Sequence, residues 1–424
     1  MNLEINNLEK NKIKNQYSWE KEGKIIITEQ KINLTLKEYN IIYKLLEKPI
    51  PDEIRKDYWL IITRAREKLI QNKNYYNTIL NMFRNYIKIE HPIYKQIQKK
   101  IEIDVNRSFV KSIEDNEKNK LRNILSAFTV RNISLNYCQG FNQIVAKLLE
   151  ITNFNEEESF WLFCSIIEEI LPFDFYLTGI GIESDMEIIN NIIKRDKNLN
   201  LFFEKNKSEY LISSSCAKWL ISIFISGINK DLSNSILDII FFFRGFNNIV
   251  NLYNATIIMF NFAKNLMGKD EGMEYVNNAI LKLNNLEIND IQEKKNKLIE
   301  RLLNGVINKN YINKLIFERR KIINAKMKRI PVLTPVENNK EISCLDDFNV
   351  CVKDLNYKND VKDYIILSKK NILSNVKIID NYYFDYNKQD NNNIDNINID
   401  NNLLNENDIL IQRKKHLCDI KHLY

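Results

Sequence analysis

The chain has 424 residues, 44% of them hydrophobic, enough for one large core or two to three smaller ones. Its 9 glycines and 6 prolines are too few for the tight turns of a sandwich or barrel, and neither GxGxxG nor GxxxxGKS/T occurs, which excludes a glycine-rich nucleotide cradle. Of the net charge of +7, most comes from Lys314–Arg329, with seven basic residues and one acid; the remainder is nearly balanced, which speaks against nucleic acid as the main partner.

Along the chain, Met1–Gln16 is polar and lacks an apolar core, so a signal peptide is not expected there. Residues 1–48 read as an N-terminal extension. In it Ile25–Ile27, followed by Ile32, Leu34 and Leu36, predicts a small hairpin, and Leu36–Glu47 an amphipathic helix. Pro49 and Pro51 then open a helical region over 49–330. Leu121, Ile124, Leu125 and Phe128 share one helical face, as do Phe141, Ile144, Val145, Leu148 and Leu149. A further helix carries Phe160, Phe163, Cys164, Ile167 and Ile170 and stops before Pro172. Trp219–Ile228 and Ile236–Phe246 are apolar nearly all round and predict buried helices, with another over Leu252–Leu266.

Trp219–Asn229 is too short to span a membrane, and five asparagines interrupt Gly245–Ala263. The six cysteines contain no CxxC pair, and the only histidines are His91, His416 and His422, so a disulfide framework, zinc finger or His-rich metal site is not expected. These features predict a soluble protein of a reducing compartment. Residues 331–424 form the tail; within it, 387–408 hold ten asparagines, a composition that predicts disorder. The basic stretch Lys314–Arg329 has two readings. It is a solvated terminal helix, or it uses Ile312, Leu315, Ile316, Ile322 and Ile323 as an apolar side for contact with anionic membrane.

Two short constellations carry chemistry. In Ile101-x-x-Asp104-x-x-Arg107 the three residues lie close to one helical face, and Asp104 is near enough to Arg107 to pair with it and aim it. In Tyr137-Cys138-Gln139-Gly140 the glycine allows a tight helix entrance and leaves the Gln139 amide projecting from a loop. Taken singly, the first is an ordinary surface bridge and the second an ordinary turn.

In this order, about 30 residues apart, the two resemble the signature of the TBC domain, the domain of Rab GTPase-activating proteins. Pro51–Trp59, Phe160-Trp161, Leu171-Pro172 through Tyr176 with Gly181 and Asp185, and Leu237-Asp238 with Gly245 resemble further parts of it, so that the likeness covers 49–265. Three positions depart from the family pattern: Pro49, Asn136 and Ser108, none of them in the finger pair.

The resemblance implies an all-α, multi-helix domain that accelerates GTP hydrolysis by a Rab-family GTPase in its GTP-bound form. Arg107 matches the family's arginine finger and Gln139 its glutamine finger, with Asp104, Tyr137 and Gly140 supporting. Tyr137 either braces the glutamine loop or faces the GTPase. The domain carries no cofactor of its own; GTP and Mg²⁺ belong to the partner. The implied setting is cytoplasmic, with the protein peripheral on endomembranes. The alternative is a non-catalytic adaptor of the same fold. Trp59 and Trp161 are expected in the core, Arg55 in an internal ion pair, and Asp238 and Gly245 in fold-determining positions.

Overall fold

The computed structural model describes residues 17–327 apart from 109–113, 133–134, 136, 173, 177–178, 244–245 and 308. Gly245, Asn136 and the asparagine-rich segment 387–408 therefore lie outside the described residues. Among the described residues there is no strand. The helices in chain order are α1 (Leu36–Leu45), α2 (Asp52–Ile62), α3 (Ala65–Gln71), α4 (Tyr75–Lys88), α5 (Pro92–Val105), α6 (Asp115–Arg131), α7 (Phe141–Ile151) and α8 (Glu156–Ser165), the last running into a π-helical turn (Ile166–Ile170). They continue with α9 (Ile180–Arg195), α10 (Lys197–Lys205), α11 (Tyr210–Ile221), α12 (Lys230–Phe242), α13 (Phe246–Met267), α14 (Met273–Lys282), α15 (Ile288–Asn304) and α16 (Lys309–Met327). No helix of the described residues is long and apolar enough to cross a membrane.

The expected hairpin does not form. Lys24–Ile26 is a helical turn, preceded by a π-helical turn at Trp19–Gly23. The second expected strand is absent because Thr35 and Glu38 make a capping box that starts α1 at Leu36. The carbonyls of Thr28 and Lys31 instead accept from the Arg66 guanidinium at 2.8 and 3.1 Å. Three apolar residues were too short a run to specify a ladder against these local and side-chain partners. The described part of the extension is fastened to the helical domain. Trp19 packs edge-on against Tyr58 of α2 with ring centroids 5.9 Å apart, and Tyr39 donates to the Phe242 carbonyl at 2.8 Å while stacking on its ring.

Asp238 of α12 ties α2 into the core. Arg55 Nε donates to both carboxylate oxygens at 3.2 Å, Trp59 Nε1 donates to Oδ1 at 2.7 Å, and Tyr58 donates to the Asp238 carbonyl at 2.8 Å. Arg55, Trp59 and Asp238 are all buried, as expected of each, and so is Trp161. Lys147 of α7 is also buried. Its burial, with the charges of Lys230 and Arg55, pulls its ammonium down to about 8 against the opposing carboxylates of Glu150 and Asp238. Ionised lysine therefore costs the folded state more than the unfolded one below that value. The unfolded chain holds the extra proton between about pH 8 and 10.5, so stability rises with pH across that window. Lys147→Met should raise unfolding stability at pH 7 by on the order of 2 kcal/mol and flatten this rise, as measured by denaturant melts at pH 7 and 9.5.

The basic helix α16 is not a solvated terminal helix. Leu315, Arg319 and Ile323, spaced one turn apart, are buried, and α16 packs on α9. Two of the apolar residues expected to meet a membrane, Leu315 and Ile323, are thus covered by protein. Arg319 is fully buried between two carboxylates. It donates to Asp185 Oδ1 at 2.6 Å and Oδ2 at 3.3 Å, and to Asp174 Oδ2 at 2.8 Å and Oδ1 at 3.0 Å. Tyr253 of α13 donates to Asp185 as well. Burial pushes the Asp185 carboxyl up, while Arg319 and Tyr253 hold it down.

Candidate functional site

Helix α5 begins with Pro92 at its first position, where a missing N–H costs nothing, and ends at Val105. Ile101 and Val105 are 1% exposed and anchor its last turn, which places Asp104 at the edge of the core. The chain then leaves the helix through a turn in which the Arg107 N–H donates to the Asp104 carbonyl at 3.2 Å. Asp104 and Arg107 differ sharply in environment: their side chains are 7% and 59% exposed, and Arg107 Nη2 pairs with Asp104 Oδ1. Such an ion pair, buried at one end, fixes the direction of a long side chain that would otherwise sample many rotamers.

The other carboxylate oxygen, Asp104 Oδ2, accepts from the Tyr137 hydroxyl at 2.5 Å. Burial, and then the hydrogen bond and charge of Asp104, push the Tyr137 hydroxyl well above its ordinary value, so it stays a neutral donor. Its hydroxyl points inward to Asp104 and braces the glutamine loop against the arginine turn.

Gln139 is exposed, one residue before the buried Gly140. Gly140 has φ +97°, and a Cβ there would lie 2.4 Å from Ile221 Cγ2 and 2.8 Å from the Ile221 carbonyl oxygen. Both the left-handed backbone and the close approach to α11 require glycine. Phe141 follows, fully buried against Phe163 and Tyr176 at centroid distances of 5.1 and 4.9 Å, and locks the start of α7. Tyr176 in turn donates to the Ile221 carbonyl at 2.9 Å. The loop carrying Gln139 is therefore held by core contacts on its C-terminal side and by Tyr137 on its N-terminal side. Burial pushes the Cys138 thiol up to about 11, which favours its neutral form.

All five residues singled out from the sequence fall in one neighbourhood. Arg107 and Gln139 are exposed, while Asp104, Tyr137 and Gly140 hold their backbones. Sequence reasoning missed Asn142, which is buried and linked to both segments. Its local sequence, Phe141-Asn142-Gln143-Ile144, holds two adjacent polar residues and gives no signal that separates Asn142 from Gln143. Among the described residues no group of three or more His, Cys, Asp or Glu side chains is arranged to hold a metal ion.

Asp104→Asn tests the aiming role. It keeps the shape and an acceptor for Tyr137 but removes the charge that Arg107 pairs with. We expect a roughly 10–100-fold loss in any activity that depends on Arg107, with little change in thermal midpoint, measured by turnover and melting of the same preparation.

The model for the Rab-GTPase-TBC domain matches residues 52–267. The chain belongs to this family. Human growth hormone-regulated TBC protein 1 is 31% identical over 160 residues, 36% of this chain and 44% of that protein. The GTPase-activating protein GYP3 of Saccharomyces cerevisiae is 28% identical over 240 residues, 47% of this chain and 37% of that protein. TBC1 domain family member 2B of Xenopus tropicalis is 26% identical over 246 residues, 56% of this chain and 23% of that protein. The chain thus spans less than half the length of each of these three relatives. The crystal structure of the Chlamydomonas flagellar RabGAP TBC domain superposes with a TM-score of 0.51 at 19% identity, covering 64% of this chain and 87% of that one. This last likeness bears on the all-α fold alone.

Proposed function

We propose that this protein is an activator of GTP hydrolysis by a Rab-family small GTPase, acting on the GTP-bound form with Arg107 and Gln139 as fingers supplied in trans. The observation that carries this is the pairing of two exposed side chains of the right chemistry on backbones cross-braced through Asp104. A small GTPase is slow because charge growing on the phosphates is poorly stabilised and the attacking water is poorly held. The planar guanidinium of Arg107 answers the first need, bridging two phosphate oxygens. The Gln139 amide answers the second, accepting from the water and donating to a γ-phosphate oxygen. An arginine supplied in this way is worth roughly 10³–10⁵ in rate, about 4–7 kcal/mol of barrier. GTP and Mg²⁺ would be held by the partner, and the protein would act peripherally on endomembranes where that partner resides.

The test is a GTP hydrolysis screen against a panel of purified Rab proteins, with binding read alongside. Stimulated turnover on at least one member supports the proposal. Binding without stimulation would instead identify an adaptor of the same fold.

A further inference from the structure

We propose that Asn142 is a positioning residue that couples the two fingers, holding the Gln139 loop and the Arg107 turn in one fixed relation; this rests on the assignment of Arg107 and Gln139 as the acting pair. The Asn142 amide is used at both ends. Its Oδ1 accepts from the Gly140 N–H at 3.2 Å, the peptide next to Gln139. Its Nδ2 donates to Ser108 Oγ at 2.9 Å, the side chain next to Arg107, and at 3.5 Å to the carbonyl of Asp104. Ser108 Oγ donates in turn to that same Asp104 carbonyl at 2.5 Å.

The chemistry requires an amide. One end must accept and the other donate, in a site where Asn142 is 3% exposed and water cannot readily replace a lost partner. A buried asparagine serving only its own loop would be satisfied within a few residues. Here the second half of the amide reaches 34 residues back, to the segment that carries the other finger.

The two finger segments are therefore cross-linked twice. Tyr137 to Asp104 is the first link and Asn142 to Ser108 the second. A single link acts as a hinge, about which the glutamine loop can turn relative to the arginine. Two links fix the orientation. Both fingers must meet one phosphate group and one water, so an error of about 1 Å in their relation can cost on the order of 100-fold in rate. The predicted defect is in maximal rate and not in docking.

The experiment compares wild type, Asn142→Ala, Asn142→Asp, Ser108→Ala, Ser108→Thr and Arg107→Ala on the GTPase that responds best in the panel. Asn142→Ala is expected to lower the stimulated maximal rate by roughly 10–100-fold with a half-saturating GTPase concentration within about twofold of wild type. Asn142→Asp, which keeps the acceptor and loses the donor, is expected to be impaired as well. Ser108→Ala cuts the same link from its half-buried end with little risk to folding and should lose a smaller factor; Ser108→Thr retains the hydroxyl and should restore it.

Two further readouts separate positioning from stability. Binding to the GTPase loaded with GDP and aluminium fluoride should weaken, while binding to the form loaded with a non-hydrolysable GTP analogue is kept. Amide hydrogen exchange in 137–141 should quicken in Asn142→Ala, with exchange in α8 and α12 unchanged. Unchanged maximal rates for both Asn142→Ala and Ser108→Ala beside an impaired Arg107→Ala would overturn the coupling role alone. So would a loss confined to half-saturation. Equal turnover by wild type and Arg107→Ala would overturn the assigned finger pair itself, and the coupling role with it.

Discussion

Arg107→Ala should cut the stimulated rate of GTP hydrolysis by roughly 10²–10⁴, about 3–5 kcal/mol of barrier, in single-turnover assays with the responding Rab. The Arg107 side chain is exposed, but its removal leaves the buried Asp104 carboxylate without its charged partner and with the Tyr137 hydroxyl on its other oxygen, so a modest loss of stability should accompany the loss of rate, read by a thermal melt of the same preparation. Arg107→Lys should recover little of the loss. It keeps the charge but not the planar fork that spans two phosphate oxygens, nor the geometry that Asp104 clamps. Gln139→Ala should be severely impaired too. The double substitution should cost less than the sum of the two if, as proposed, both side chains serve one transition state. On the proposed mechanism both side chains act on the chemical step, so binding of the GTP-loaded partner should survive far better than turnover in every one of these variants.

The second large effect is on folding. Arg319→Ala should destabilise the protein by about 3–5 kcal/mol in denaturant melts, because it strands Asp174 and Asp185 beside each other in the core. The deficit should depend on pH with a definite sign. Burial already pushes the Asp185 carboxyl up against the pull of Arg319, so without that cation its folded-state value stands further above the unfolded one; its contribution is intact below the unfolded value and is lost as pH rises through the folded value. The variant should therefore approach wild type in acid and fall furthest behind at neutral pH. Arg319→Met, which keeps much of the volume, should not rescue it, whereas Arg319→Met with Asp174→Asn and Asp185→Asn should recover much of the loss. Cutting the chain at 267, where the family match ends, removes α16 and should do damage comparable to Arg319→Ala or greater. Cutting at 330 keeps Arg319 and should leave the helical domain folded.

The contrast between these two arginines shows what a sequence can and cannot disclose. Arg107 is legible through the family resemblance, and its partner is three residues away, so the turn that closes α5 brings the two together. Gln139 is legible through the same resemblance, and the following glycine marks the left-handed turn into a helix whose apolar face begins at Phe141. The helical domain is legible directly, since period and breaker scarcity are local properties. Arg319 is not. It stands among seven basic residues in Lys314–Arg329, and only its burial against acids 134 and 145 residues away sets it apart. Asn142 is hidden likewise, because half of its bonding lies in another segment. The missed hairpin has the opposite origin. Apolar residues at 25–27 suggested a strand, but a capping box and a distant arginine satisfied the backbone another way.

The central claim is that this protein brings both its arginine and its own glutamine to the partner's nucleotide. The most direct measurement is stimulated hydrolysis on a responding Rab whose own water-positioning glutamine has been replaced by leucine. If Gln139 holds the water, the wild-type chain should still stimulate this crippled GTPase substantially, and Gln139→Ala should abolish that stimulation while still binding. Stimulation that vanishes with the partner's glutamine, or that persists unchanged in Gln139→Ala, would contradict the two-finger account.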